Sequence, residues 1–466
     1  MATREAGTAA NRFGLGARPG DLQRIDPDPR SWLRAQLGPA PAPAAFAGLP
    51  TSADYLGQYR RLQQQRRQAR QSGDADAKAA QMQSARLVRQ GLERELQLRQ
   101  QVAVGADDGF RERLVRFWSN HFAISVDKRV AALFAAPMER EAIRPHVNGR
   151  FADLLLAVER HPGMLLYLDN AQSVGADSRA AQQAERRRQR TGQGPRRGLN
   201  ENLAREILEL HTLGVDAGYS QQDVTEFARA ITGWSVDPEA GDRTTAFLFR
   251  AAAHEPGARR VFGKTYRQDG EAQGVAILHD LAVHPATARH VSTKLARHFV
   301  GDDPPPALVQ RMARAWLDSG GDLPQVYRVL VEDPAAWQPG ARKFKTPDDF
   351  CLSALRACGL GAESDLALAQ RLQALLGQPL FQPRSPAGFG DVAADWGGPD
   401  ALFKRVQAAQ ALATRLPDTG TTPLALGQAA LGAALDAQTA TALRRAESIQ
   451  QGVALLLASP AFQWRT

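Results

Sequence analysis

Runs of four to five amphipathic turns recur along this chain, and that periodicity leaves little room for any architecture but packed helices. Arg113-Leu-Val-Arg-Phe-Trp-Ser-Asn-His-Phe gathers its apolar residues on one face. Phe151-Ala-Asp-Leu-Leu-Leu-Ala-Val-Glu-Arg-His does the same up to a stop near Pro162. Gln273–Leu281, Pro285–Val300 and Ala307–Ser319 read alike. Composition agrees, since Ala, Leu, Arg and Gln are strong helix formers and aromatic residues make up only 7%. The pattern predicts an all-α protein, a large multi-helix body with a small β-hairpin excursion near residues 235–270. There Thr244-Thr-Ala-Phe-Leu-Phe and Arg260-Val-Phe-Gly-Lys-Thr-Tyr lie on either side of His254. No repeat of solenoid period is present.

Breaks in the pattern divide the chain into four regions. Residues 1–52 form a short helical lead-in closed by the Pro/Ala linker that begins Gly38-Pro-Ala-Pro. Residues 53–104, Gln/Arg-rich and broken at Ser72-Gly-Asp-Ala-Asp, predict a projecting helical hairpin. Residues 105–340 carry the core, and 341–466 a second helical region interrupted by the Pro/Gly/aromatic loop Gly377–Gly398. Ser220-Gln-Gln-Asp223 is a capping box predicted to open a helix reaching Trp234.

Charge and motif spacing exclude several function classes. The formal net charge is +9, with much of the excess in Arg186, Arg187, Arg188, Arg190, Arg196 and Arg197. No aromatic residues interleave with that run to stack bases, so it predicts a solvated loop and no nucleic-acid partner. Gly257-Ala-Arg-Arg-Val-Phe-Gly-Lys-Thr has five residues between its glycines where a phosphate-binding loop needs four, and no helix follows. Cys351 and Cys358 fall two turns apart on one helix face, too far for a disulfide, and read as small core residues. No Gly-x-Ser-x-Gly elbow is present. The first residues contain neither an apolar signal core nor a twin arginine, so the chain is expected not to be exported by a signal of its own. No apolar run has membrane-spanning length.

The densest chemistry lies in Asn200-Glu-Asn-Leu-Ala-Arg-Glu-Ile-Leu-Glu-Leu-His-Thr-Leu-Gly214, read as one helix. Asn202, Glu206 and Glu209 share a stripe with Arg205 at its margin, while His211 faces the other side. Two carboxylates at i, i+3 repel unless a metal, an arginine or a proton compensates them. One reading is a divalent metal held by His121, Glu206, Glu209 and His254. Another is acid–base catalysis by Glu206, Glu209, Asp169 and His121. Asn120, Asn170, Asn202 and Arg205 would then bind a polar substrate, and Trp118 and Trp234 would stack on sugar faces. The bland alternatives are a buried Arg–carboxylate network and aromatic core packing. A third constellation, His290, Lys294 and His298 at i, i+4, i+8, offers a positive stripe able to grip phosphate, sulfate or carboxylate, or to sit at the surface beside acidic neighbours. His284 before Pro285 is explained by helix capping.

Long stretches of the chain resemble the bacterial family known as domain of unknown function 1800. They are Asn11-Arg-Phe-Gly-Leu-Gly, Phe117-Trp-Ser-Asn-His-Phe, Leu165-Leu-Tyr-Leu-Asp-Asn, the Asn200 segment, Ala230-Ile-Thr-Gly-Trp, the glycine loop at Phe389 and the closing Leu457-Ala-Ser-Pro-Ala-Phe-Gln-Trp-Arg. The resemblance supplies no established activity. It implies an envelope or periplasmic setting and a sulfatase-like partner of the family called domain of unknown function 1501. Phe389 stands where such chains commonly have Trp, and Glu255 where they have Asp. The expectation is therefore an enzyme acting on a carbohydrate or a sulfated or phosphorylated substrate, with a metal as an option. The alternative is a non-catalytic binding or assembly protein. Catalysis predicts Glu206 in a concave pocket with a shifted pKa; a binding module predicts Glu206 neutralised by arginine.

Overall fold

Helix starts and stops are written in the chain, and a computed structural model places them. It describes residues 2–71, 76–192, 198–215, 217–416 and 420–465. The Pro285–Phe299 helix begins with proline at its first position, behind His284, whose ring accepts the Ala286 N–H at 3.1 Å. Thr346 caps the Pro347–Cys358 helix in the same way, and Gly359 closes it in the left-handed region. Ser220 and Asp223 form the reciprocal capping box of the Gln221–Ala230 helix. That helix stops at Ala230 rather than continuing to Trp234. Gly233, at φ +85°, turns the backbone into a strand, and the Arg250 carbonyl packed against it leaves no room for a Cβ.

Helices dominate, as the periodicity predicts. The β excursion resolves into two antiparallel hairpins, Trp234–Val236 with Phe247–Phe249 and Arg259–Val261 with Lys264–Tyr266. The second contains the Gly-Lys-Thr decoy, its turn made by Phe262 and Gly263 at positive φ. A third ladder, Lys343–Phe344 with Trp464–Arg465, was not foreseen, because each strand is two residues long and shows no alternation.

Apolar side chains collect in two large bodies and one small cluster of Leu15, Ala103 and Leu352. One body runs from Ala6 to Trp337 and the other from Phe350 to Phe462. The helices Ser52–Gln71 and Asp76–Gly105 pack against each other; residues 72–75, where the sequence breaks, lie outside the described residues. The base of this hairpin is embedded in the body. Gln100 is fully buried, donating to Gln373 at 3.1 Å, and Arg99 pairs with Glu139 at 2.7 Å.

Two local corrections follow. Arg186, Arg187, Arg188 and Arg190 lie on a solvent-exposed helix, Arg179–Thr191, rather than in a loop; Arg196 and Arg197 lie outside the described residues. The Asn200 segment is not one regular helix. It is α-helical over Asn202–Glu206 and then opens into a π turn over Ile207–His211. The Asn11-Arg-Phe motif also lies on a π turn, Ala9–Phe13. Such turns are rare and are frequent at functional sites. Cys351 and Cys358 are free and buried, and burial pushes the Cys358 thiol up to about 12.

Candidate functional site

A cavity of about 240 Å³ opens where the two apolar bodies meet. Three helix ends and one loop build it. The Gly109–His121 helix contributes Arg113, Arg116, Phe117, Asn120 and His121, one face at helical spacing. The Pro285–Phe299 helix contributes Lys294, Arg297 and His298. Asp348 and Asp349 come from the first turn of the Pro347–Cys358 helix, and Phe389, Asp391 and Asp395 from the glycine-rich loop.

Asn120 fixes that loop. Its Nδ2 donates to the Phe389 carbonyl at 2.9 Å and its Oδ1 accepts the Phe389 N–H at 2.8 Å. Gly388, at φ +83°, lies against the Asn120 carbonyl with no space for a Cβ. The Asn120 amide thus holds the loop through one N–H and one oxygen lone pair while lining the cavity.

The walls are strongly charged. Arg113 donates to Asp349 at 2.5 Å, and Arg116 pairs with Asp348 at 2.6 Å. Burial opposes ionisation of Asp349, yet Arg113 and Arg465 hold its carboxyl well below the usual range. Burial likewise opposes ionisation of Asp391, but His298 and Lys343 hold it down to about 2. His298 meets Asp391 through Nδ1 at 3.2 Å, while its buried Nε2 has no hydrogen-bond partner. Lys294 and Arg297 line the same space, and neither forms a salt bridge among the described residues. Burial and the nearby Arg297 lower Lys294 to about 8, against the opposing pull of Asp391. Lys343 and Arg465, both buried, add further positive charge behind the wall, whereas burial and the surrounding arginines push the Lys345 amine well below the usual lysine value.

His121 joins this cavity to the Asn200 segment. Its Nε2–H donates to the His211 carbonyl at 3.1 Å, which leaves Nδ1 an acceptor, buried and unpartnered. Burial first, then Lys294, His211 and His290, lower its pKa well below the ordinary value, so the ring is neutral. His211 in turn bonds Glu159 at 2.8 Å, both side chains fully buried. Gly214, at φ +92°, admits the His290 ring, whose Nδ1 would crowd a Cβ at 2.8 Å.

The other expected site residues do not line the cavity. Glu206 is half-buried, its pKa raised first by burial and then by Glu209, with His211 opposing. It forms no salt bridge with arginine among the described residues and does not line this cavity, while its pKa is shifted upward as a catalytic role would require. Glu209 lies 3.7 Å from Arg205, which also reaches Glu201 at 3.3 Å. Asp169, at φ 60°, pairs with Lys128 at 2.7 Å. Asn170 is fully buried and donates to the Ile231 and Trp234 carbonyls at 3.3 Å. Asn202 is exposed, its backbone N–H held by Asn200.

Trp118 and Trp234 are core residues rather than stacking platforms. Trp118 donates to the Tyr327 hydroxyl at 2.6 Å, and both indoles are fully buried. His254 is turned toward the Thr232 carbonyl at 3.1 Å. Among the described residues no group of three or more His, Cys, Asp or Glu side chains can hold a metal, so His121, Glu206, Glu209 and His254 do not assemble as a ligand set. His121 bonds the His211 carbonyl, Glu209 lies beside Arg205 and His254 bonds the Thr232 carbonyl, so three of the four are turned to different neighbours. Glu255 is buried, its carboxylate accepting the Asp177 N–H at 2.8 Å, whereas Phe389 lines the cavity. Of the two positions where the chain departs from what the resemblance implies, only Phe389 lines the cavity.

Sequence reasoning missed Arg113, Arg116, Arg297 and Asp391. The i, i+3, i+7 spacing of Arg113, Arg116 and Asn120 was the available signal. Arginines on an amphipathic helix, however, read by default as solvent-facing.

Helices in two apolar bodies, closing a charged cavity at their seam, define an all-α protein with an internal polar site. The chain belongs to the family described as Protein of unknown function (DUF1800), whose model matches residues 8–464. No curated protein and no solved structure matches it. Among the described residues no helix is long and apolar enough to cross a membrane.

Proposed function

We propose that this protein is an enzyme acting on a small polar anion, one carrying a phosphate, sulfate or carboxylate group, bound in the cavity at the seam. The observation that carries the reading is the state of Lys294 and Arg297. Both line the cavity without a salt bridge among the described residues, whereas Arg113 and Arg116 are tied to Asp349 and Asp348. Lys294 and Arg297 are half-buried, and Arg297 donates its Nε–H to the Asp302 carbonyl at 3.1 Å; a partly desolvated cation outside any salt bridge gains from an anionic ligand as partner. Phosphorylated and sulfated sugars fall within this class.

Proton transfer has candidates in place. An ionised Asp391 holds the His298 proton on Nδ1 and leaves Nε2 to exchange protons with a ligand. Lys294, at about 8, is poised to give or take a proton near neutral pH. The cavity is smaller than the roughly 300–1,000 Å³ of drug-sized ligand sites, which favours a small metabolite.

Calorimetric titration with inorganic phosphate and with sulfate tests the reading. Binding that weakens with added salt, and at least about tenfold in Arg297→Gln (~1.4 kcal/mol), is the expected result. Glu206→Gln should bind as the parent does. No binding of any anion, or unchanged affinity in Arg297→Gln, would overturn the proposal. Binding without turnover of any phosphorylated or sulfated compound would favour the non-catalytic alternative, a subunit that holds a sulfatase-like partner.

A further inference from the structure

Lys294 lies in an unusual setting for an anion-gripping lysine. An anion cradle works best with an ammonium kept charged by nearby carboxylates, yet Lys294 has no hydrogen bond and no salt bridge among the described residues. Arg297, one turn further on the same helix, lines the same cavity. Burial favours loss of the Lys294 proton, and Arg297 one turn away adds to this against the larger opposing charge of Asp391; arginine itself cannot lose its proton. His298, four residues on and on the same helix face, brings an imidazole with an unpartnered Nε2 to the same wall. An amine without a counter-ion, a fixed cation and a proton-exchanging imidazole are the parts needed to capture a carbonyl compound that carries an anionic group.

We propose that Lys294 is the amine of a Schiff-base site for a small 2-oxo acid or an aldehyde acid, and this rests on the anion-site reading above. The Arg297 guanidinium holds the carboxylate of the substrate. The neutral Nζ of Lys294 attacks the carbonyl carbon, forming a C–N bond while the C=O π pair moves to oxygen. His298 Nε2 takes a proton from the nitrogen and passes it to the oxygen, giving the neutral carbinolamine, and next draws off the second nitrogen proton. His298 then returns its proton to the departing hydroxyl, which leaves as water as the C=N bond forms. The balance is amine plus carbonyl giving imine plus water, with no oxidant or reductant consumed. The lowered proton affinity of Lys294, about 8, agrees with the geometry, because a useful fraction of the amine is free near neutral pH.

Reductive trapping tests this on the full chain. The protein is incubated with glyoxylate and cyanoborohydride, followed by intact-mass measurement and peptide mapping. Glyoxylate should add a single carboxymethyl group at Lys294, at least about tenfold faster than at exposed Lys264, the margin set by the lowered proton affinity. The adduct should vanish in Lys294→Arg, which keeps the charge, and should slow when phosphate competes. A trapping rate that rises with pH to a midpoint near 8, rather than near the usual lysine value, would separate the site amine from ordinary surface labelling. No adduct at Lys294, or labelling spread evenly over Lys78, Lys264 and Lys404, would overturn the inference. Phosphate titration of the same sample separates the two failures. Phosphate binding without trapping removes the Schiff base and leaves the anion site standing, whereas neither binding nor trapping removes both.

Discussion

At the scale of single residues, the buried histidines decide how this protein responds to acid. Burial, followed by the charge of Lys294, lowers His290 to about 4; a bond to the Leu210 backbone opposes this and the charge of Arg297 adds a little to it. His121 and His298 are lowered for the same first reason. In the unfolded chain each of these rings takes up a proton near pH ~6.5. Between that value and the lower folded one the unfolded state binds more protons, so stability rises with pH. It is present in full above about pH 6.5 and drains as pH falls, by up to about 1.4 kcal/mol per pH unit for each such ring. Urea unfolding at about pH 6.5, 5.5 and 4.5 should show this loss, and His290→Gln should flatten the slope by about one proton. An unchanged slope would mean that His290 is protonated in the folded protein. The stripe of His290, Lys294 and His298 was legible from spacing alone, because i, i+4, i+8 fixes a common helix face. Their division of labour was not. His290 turns to Gly214, while Lys294 and His298 reach the cavity, and only the packing of other helices determines which.

At the scale of elements, the glycine loop and the π turn carry what periodicity does not show. Gly388 holds φ +83° against the Asn120 carbonyl, so Gly388→Ala meets both backbone strain and a clash. A destabilisation of about 1–3 kcal/mol is expected, together with at least about tenfold weaker phosphate binding, since the same loop places Asp391 and Phe389 on the cavity wall. A thermal melt beside the titration checks both, and retained affinity would show that the loop does not shape the site. Helix positions were readable because capping residues and prolines mark them, as at Thr346, Pro347 and His284. The Asn200 segment was misread in one respect. A regular 100° step places Asn202, Glu206 and Glu209 on one working stripe, but the π turn at Ile207–His211 changes the phase of everything after Glu206. The turn instead buries His211 against Glu159 and aims its carbonyl at His121. The segment therefore supports the cavity from behind rather than lining it, and no sequence pattern distinguishes a π turn from an α turn in advance.

At the scale of the whole molecule, the seam between the two apolar bodies is tied by polar groups, and the cavity exists because of it. Arg356 donates to the carbonyls of Gly16 at 2.7 Å and of Ala103, Val104 and Ala106 at 2.9–3.1 Å, and pairs with Asp21 at 3.3 Å. Arg113 donates to the Gly14 carbonyl at 2.7 Å as well as to Asp349, and Asn11 reaches the Ala430 carbonyl at 3.1 Å. Gly16, at φ +99°, lies against the second body where a Cβ would meet Ser353 at 2.7 Å. The opening Asn11-Arg-Phe-Gly-Leu-Gly motif is thus a clasp, a role invisible until the second body is in place. Replacing Arg356 with leucine leaves several buried carbonyls unpaired and takes one cation from Asp21. The cost expected for breaking such a buried network is about 3–5 kcal/mol. Because Arg356 spans both bodies, the loss should fall on their coupling. The parent should unfold in one calorimetric transition whose measured and van't Hoff enthalpies agree, and Arg356→Leu should split it into two. Phosphate affinity should fall with the coupling, since Arg113 and Lys294 stand on one side of the seam and Asp349 and Asp391 on the other. A single transition shifted to lower temperature, with affinity intact, would show instead that the two bodies hold together through their apolar contacts and that the clasp adds stability without shaping the site.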